Sequence, residues 1–282
     1  MLAKAAPFLF VFLWSTGFLG AKFGLPYAEP LAFLFVRYLL VIVLMGALAL
    51  AWRAPWPRDW RAWLHIGASG LLVHALYLGG VFVAIGMGLP AGVTALVVGL
   101  QPLLTATVAG RLLGETVLMR QWVGLGLGFA GVALVVADKV GGGFALAALW
   151  PALAALLGIT AGTLYQKKFA PRFDWRSGAV AQFLPSAVVT GALVFALDGF
   201  RIDWTGEFVF ALGWLVLVLS VGAISLLNWL IRHGSAVNVA SLFYLTPPTT
   251  ALLAWLLFGE TLAGAALAGM ALAVWGVYLS RR

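Results

Sequence analysis

The sequence predicts an all-α polytopic membrane protein of ten transmembrane helices, arranged as two inverted repeats of five, and three observations carry that expectation. Composition is the first: of 282 residues, 63% are hydrophobic and only 9% charged, a balance that no single water-soluble core absorbs. The second is an internal repeat. Moving the chain 145 residues along itself lays Ala91, Leu100, Pro102, Thr105, Gly114, Glu115 and Thr116 on Ala236, Leu245, Pro247, Thr250, Gly259, Glu260 and Thr261 without a gap, and lays Gly17, Lys22 and Pro26 on Gly162, Lys167 and Pro171. The third is the spacing of charges, prolines and glycines. They cut the chain into apolar runs near the roughly 20 residues that a hydrocarbon core about 30 Å thick requires.

The first run, 7–23, resembles a signal peptide in position. It has one lysine ahead of it, lacks a small-residue cleavage site and aligns with the sixth run, so it is expected to stay in the chain. Runs at 31–52, 63–85, 90–113 and 121–137 complete a first repeat within residues 1–140. The second repeat, 141–282, follows the same plan at 144–166, 178–197, 208–231, 235–258 and 262–280. An odd number of spans in each unit turns the second copy over relative to the first, the plan of many transporters whose substrate site lies where the halves meet.

Loop charge sets the orientation. With the N-terminus inside, thirteen of the 17 basic residues fall in inside segments, and Lys139 and Arg201 alone in outside loops. Both termini are therefore expected in the cytoplasm, the chain being a multi-pass protein of a bacterial inner membrane. Lys22 and Arg37 are left near the outer boundary; Lys22 is expected to snorkel, and Arg37, which lies deeper, to have a protein partner. The net charge of +8 is thus spent on topology, and no nucleic-acid partner is expected. Without cysteine there is neither a disulfide frame nor a thiolate metal site.

Two five-helix units, each with a proline followed about a dozen residues later by Gly-Glu-Thr and a Gly-rich last helix, resemble the EamA family of the drug/metabolite transporter superfamily. The marks are Pro102 with Gly114, Glu115 and Thr116, and Pro247 with Gly259, Glu260 and Thr261. Within that family the chain looks most like the YddG-type exporters of aromatic and other amino acids. The resemblance implies a basket with a central cavity, bordered mainly by the third, fourth, eighth and ninth helices with help from the first and sixth. It also implies outward movement of small metabolites.

Polar residues at membrane depth are costly unless they meet one another or line a cavity, so each is a candidate. His74 lies near the middle of the third run, with Tyr77 expected on the same face. The alternative for His74 is a hydrogen bond that merely glues two helices. Thr94, Gln101 and Thr105 form a stripe in the fourth run, where Pro102 frees a carbonyl about one turn earlier, around Val98. The repeat partner is Tyr244-Leu245-Thr246-Pro247-Pro248. Pro102, Pro247 and Pro248 are expected to shape the cavity and act as hinges. Asn228 and Trp229 in the eighth run, with Ser225 one turn before, and Trp14 and Ser15 in the first complete the expected substrate site, with indole and amide donors for a carboxylate and aromatic faces for a side chain.

Glu115 and Glu260 are read as caps for the helices that follow them. Gly124 and Gly128 in the fifth run, with Gly269, Ala273 and Gly276 in the tenth, are read as close helix packing. An intramembrane Ser-His hydrolase using Ser15 or Ser225 with His74 is the enzyme alternative, but no G-x-S-x-G turn surrounds either serine. Cation or drug efflux is the alternative within transport, and it would be expected to use an intramembrane carboxylate, whereas all nine acidic residues fall at run ends or in loops. Neutral or zwitterionic solutes are favoured. The expected partners are a small-molecule substrate and the lipid bilayer, with no cofactor, and the chain is expected to work as a monomer.

Overall fold

The structure is a computed structural model that describes residues 2–89, 91–137, 145–170, 172–258 and 264–281. Expectations placed on Lys139, Pro171, Gly259, Glu260 and Thr261, and on the side chain of Lys22, lie outside the described residues. In chain order the helices are α1 (Leu2–Gly24), α2 (Pro30–Ala51), α3 (Trp60–Gly86), α4 (Ala91–Val98), α5 (Gln101–Leu113) and α6 (Met119–Val136). They continue as α7 (Leu149–Phe169), α8 (Trp175–Leu193), α9 (Gly206–His233), α10 (Ala236–Ser241), α11 (Thr246–Phe258) and α12 (Gly264–Arg281). Eight segments among the described residues are long and apolar enough to cross a membrane, and Ala5–Gly17 within α1 is a shorter apolar helix. The ninth expected run is divided between α10 and α11 by a 3-10 turn at Leu242–Leu245.

Local chemistry starts and stops these helices where the sequence indicates. Pro30 opens α2 at a position whose N–H has no intrahelical partner. The side chains of Asp59, Thr205 and Ser235 accept the N–H of Ala62, Phe208 and Asn238 and cap α3, α9 and α10. Gly114, at φ +69°, ends α5 in the left-handed conformation that costs glycine nothing.

The 145-residue offset reappears in backbone irregularities. A π-helical segment at Leu71–Leu78 inside α3 has a counterpart at Leu215–Ala223 inside α9. The break between α4 and α5 just before Pro102 has its counterpart in the 3-10 turn just before Pro247.

Helices α6 and α12 lie against each other through glycine. A Cβ added at Gly131 would stand 2.5 Å from the backbone nitrogen of Ala273 and 2.6 Å from the oxygen of Gly269. One added at Gly276 would stand 2.4 Å from the nitrogen of Gly128. Elsewhere α2 packs on α8, and α7 packs on the π segment of α3. At one end of the bundle the loop after α1 pairs with the loop before α9, Asp203 N–H donating to the Tyr27 carbonyl at 2.7 Å beside a bridge between Ala28 and Ile202.

Candidate functional site

The π segment of α3 decides where His74 and Tyr77 point. Its i→i+5 turns are wider than those of an α-helix, so residues three apart no longer stack on one face. Sequence spacing predicts a shared face; the structure separates them. The fully buried His74 ring stacks on Phe183 of α8, centroids 3.9 Å apart. Neither ring nitrogen has a hydrogen-bond partner, although Gln182 lies close enough to act on the ring. The carbonyl of His74 accepts the Tyr38 hydroxyl at 2.7 Å. Tyr77 instead turns toward α1 and stacks on Trp14, the planes 9° apart.

Trp14 sits at the hub of an aromatic cluster, with Phe10 at 5.2 Å and Phe243 at 5.3 Å between centroids. These rings fill the middle of the bundle where the family resemblance implies a cavity. Among the described residues one crevice of about 250 Å³, counting its open mouth, is lined by Gln101 of α5, Thr163 and Lys167 of α7, Ile231 of α9, Ala236, Val239 and Ala240 of α10, and Phe243. It is therefore bordered by the fourth, sixth, eighth and ninth expected spans. Gln101 donates to Thr105 Oγ1 at 3.2 Å, while its carbonyl oxygen, buried beside the crevice, has no partner.

The 3-10 turn before Pro247 rotates Tyr244 away from this space. Its ring lies over Gly128 of α6, so close that a Cβ there would be 2.4 Å from the ring, and it is the neighbouring Phe243 that lines the crevice. Ser15 is buried and donates to the carbonyls of Val11, at 2.7 Å, and Thr246, at 3.3 Å. Thr250 returns a bond to the Ser15 carbonyl. Ser15 thus ties α1 to the start of α11, beside Pro247 and Pro248. Pro102, buried, occupies the equivalent break at the start of α5.

Asn228 belongs to a group that spacing does not single out. Gln182 of α8 donates to Gln166 of α7 at 3.1 Å, Gln166 to Asn228 of α9 at 3.0 Å, and Asn228 back to Gln182 at 3.2 Å. Three amides from three helices close a ring in which each donates to the next, and Gln182 also reaches Ser69 of α3 at 3.1 Å. Trp229, beside Asn228, takes no part. It stacks on His233 at 4.4 Å, near the end of α9. Gln166 and Gln182 were legible only as amides inside apolar runs.

At the same end of the bundle Glu115 corrects an expectation. It caps a helix, but the helix is α10 in the other half of the chain: its carboxylate oxygens accept the N–H of Ala236 at 3.0 and 2.9 Å. The left-handed turn at Gly114 sends the chain across, and Gln121 takes the local role, accepting the Leu118 N–H at 2.9 Å. Lys167 lies 3.0 Å from Glu115 and donates to the Gly234 carbonyl. Nearby, the Arg176 guanidinium hydrogen-bonds Asp174 and holds its carboxyl below the usual carboxylate range.

The EamA-like transporter family matches residues 3–137 and, a second time, residues 146–282. The chain is 29% identical to the uncharacterized transporter YvbV of Bacillus subtilis, over 95% of this chain and 88% of that protein. It is 28% identical to the uncharacterized inner membrane transporter YedA of Escherichia coli, over 91% of this chain and 83% of the other. It is 28% identical to a probable amino-acid metabolite efflux pump of Salmonella typhimurium, over 96% and 92%. One solved crystal structure superimposes with a TM-score of 0.82 at 22% identity, over 98% of this chain and 95% of that one.

Proposed function

The chain belongs to the EamA-like transporter family and is a multi-pass membrane protein, and from that premise we propose that it exports amino acids and other neutral or zwitterionic small metabolites by alternating access, as YddG-type exporters do. In this reading ten spans form two inverted units, 1–140 and 141–282, in a bacterial inner membrane with both termini in the cytoplasm. The offset of about 145 residues that relates the family matches, the π segments and the proline breaks supports the division.

The observation that carries the substrate class is the content of the centre. Trp14, Tyr77 and Phe243 offer aromatic faces, and Gln101 offers an unpaired acceptor at the crevice. The name of the Salmonella relative, a probable amino-acid metabolite efflux pump, is consistent with this. The Glu115–Lys167 pair stands in this reading at the cytoplasmic mouth, and the breaks at Pro102, Pro247 and Pro248 serve as hinges for its opening.

Efflux from proteoliposomes loaded in parallel with L-tryptophan, L-phenylalanine and a lipophilic cation such as tetraphenylphosphonium tests the reading. Protein-dependent release of the amino acids is expected. Release of the cation alone would establish cation efflux instead.

A further inference from the structure

Arg37 lies on α2, seven residues past Pro30 and so about 10 Å along the helix axis from its start, and it is only 3% exposed. Its Nε donates to Ser220 Oγ, on the π segment of α9, at 3.0 Å. That is the one hydrogen bond the guanidinium makes among the described residues. Ser220 is a neutral partner and spends its own proton on the Leu215 carbonyl. Tyr38, Tyr77 and His74 are the titratable groups within electrostatic range. No carboxylate among the described residues forms an ion pair with Arg37; the pairs there are Lys167 with Glu115 and Arg176 with Asp174.

A buried cation without a counter-charge is expensive at membrane depth, and the fold does not require one at this position. The 145-residue shift carries Arg37 onto Gln182, where a neutral amide is held by Ser69, Gln166 and Asn228. The same place in the two halves is thus neutral and saturated in one, charged and unsaturated in the other. An amide or a methionine at position 37 would fill the space without the electrostatic cost. What an arginine adds is a planar fork that binds a carboxylate through two parallel N–H bonds.

We propose that Arg37 receives the carboxylate of the transported solute, with Tyr77 and the Trp14 stacked on it facing the solute's side chain. The proposal rests on the exporter reading and narrows it: solutes must carry an anionic carboxylate, as amino-acid zwitterions do, and amines without one are excluded. In the present structure Tyr77 stacks on Trp14.

The test uses the purified full chain in detergent, with thermal unfolding followed by tryptophan fluorescence in the presence of phenylacetate, L-phenylalanine or phenethylamine. Phenylacetate and L-phenylalanine are expected to raise the melting temperature by several degrees in a saturable manner, and phenethylamine to leave it unchanged. Arg37→Gln, which reproduces the amide of the other half, loses both shifts, and Arg37→Lys keeps them with at least several-fold weaker half-saturation. Equal protection of wild type and Arg37→Gln by phenylacetate, equal protection of wild type by phenethylamine, or no protection by either carboxylate overturns the proposal. Should Arg37→Gln fail to fold, the ligand series on wild type and Arg37→Lys decides by the same criteria. The two readings fail separately. Carboxylate protection without amino-acid efflux sinks the exporter reading and leaves Arg37 as the anion receptor, whereas amino-acid efflux unchanged in Arg37→Gln does the reverse.

Discussion

The carboxylate of Glu115 bridges the two halves of the chain, 3.0 Å from the ammonium of Lys167 and within hydrogen-bond reach of the N–H of Ala236. Three segment ends are held by one side chain at the mouth of the crevice that Gln101 lines. Both partners are partly exposed, so the pair contributes through position more than through energy.

Replacing Glu115 with Ala is therefore expected to open that end. The chain has no native cysteine, so a single thiol at Ala240 reports on the crevice. Its reaction with an impermeant maleimide should speed up several-fold in the Glu115→Ala background. An unchanged rate would show that the crevice is closed by other contacts.

Glycine contacts between α6 and α12 set a sharper expectation. Gly131→Leu drives a side chain into the backbone of Gly269 and Ala273, and overpacking of this kind costs about 1–3 kcal/mol or more when backbone must move. Folded, monodisperse protein should fall markedly. Gly126 lies on the same helix with nothing within 4 Å of its added Cβ, so Gly126→Ala serves as control and should behave as wild type. Indistinguishable melting curves for the two variants would contradict the packing.

Removing Gln182 from the amide ring strands the carbonyl of Gln166 and a donor of Asn228, and takes away the N–H that the Ser69 hydroxyl oxygen accepts. Interhelical hydrogen bonds in membranes average near 0.6 kcal/mol, while buried groups left unpaired cost about 1–3 kcal/mol; the second effect governs here, because Gln166 is buried. Gln182→Leu should lower stability by about 1–2 kcal/mol, measured by unfolding in detergent. Stability equal to wild type would mean that the ring reorganises freely.

Much of the frame was written in the sequence. The 145-residue shift, the breaks at Pro102 and Pro247 and the glycines of α6 and α12 all follow from residue types whose backbone consequences are local. The site was less legible for physical reasons. A π segment carries no residue signature, so His74 and Tyr77 were expected on one face and lie on two. One residue of rotation in the 3-10 turn exchanges Tyr244 for Phe243 at the crevice. Glu115 announces a cap but not which helix, and Gln166 and Gln182 gain meaning only once three helices bring them together.

Topology is open to direct reading with introduced thiols. In intact cells a cysteine replacing Trp204, in the loop before α9, should react with an impermeant reagent, and one replacing Arg58, in the loop before α3, only after permeabilisation. The opposite pattern would reverse the assigned orientation.

Counterflow in proteoliposomes tests the central claim most directly, because it requires a single site that faces each side in turn. Vesicles preloaded with unlabelled L-tryptophan and diluted into trace labelled L-tryptophan, with no pH gradient, should accumulate label transiently. The overshoot should be lost in a folded Tyr77→Ala variant and retained in His74→Gln. Absence of any overshoot in the wild type, or accumulation that appears only under an imposed proton gradient and disappears in His74→Gln, would contradict the account.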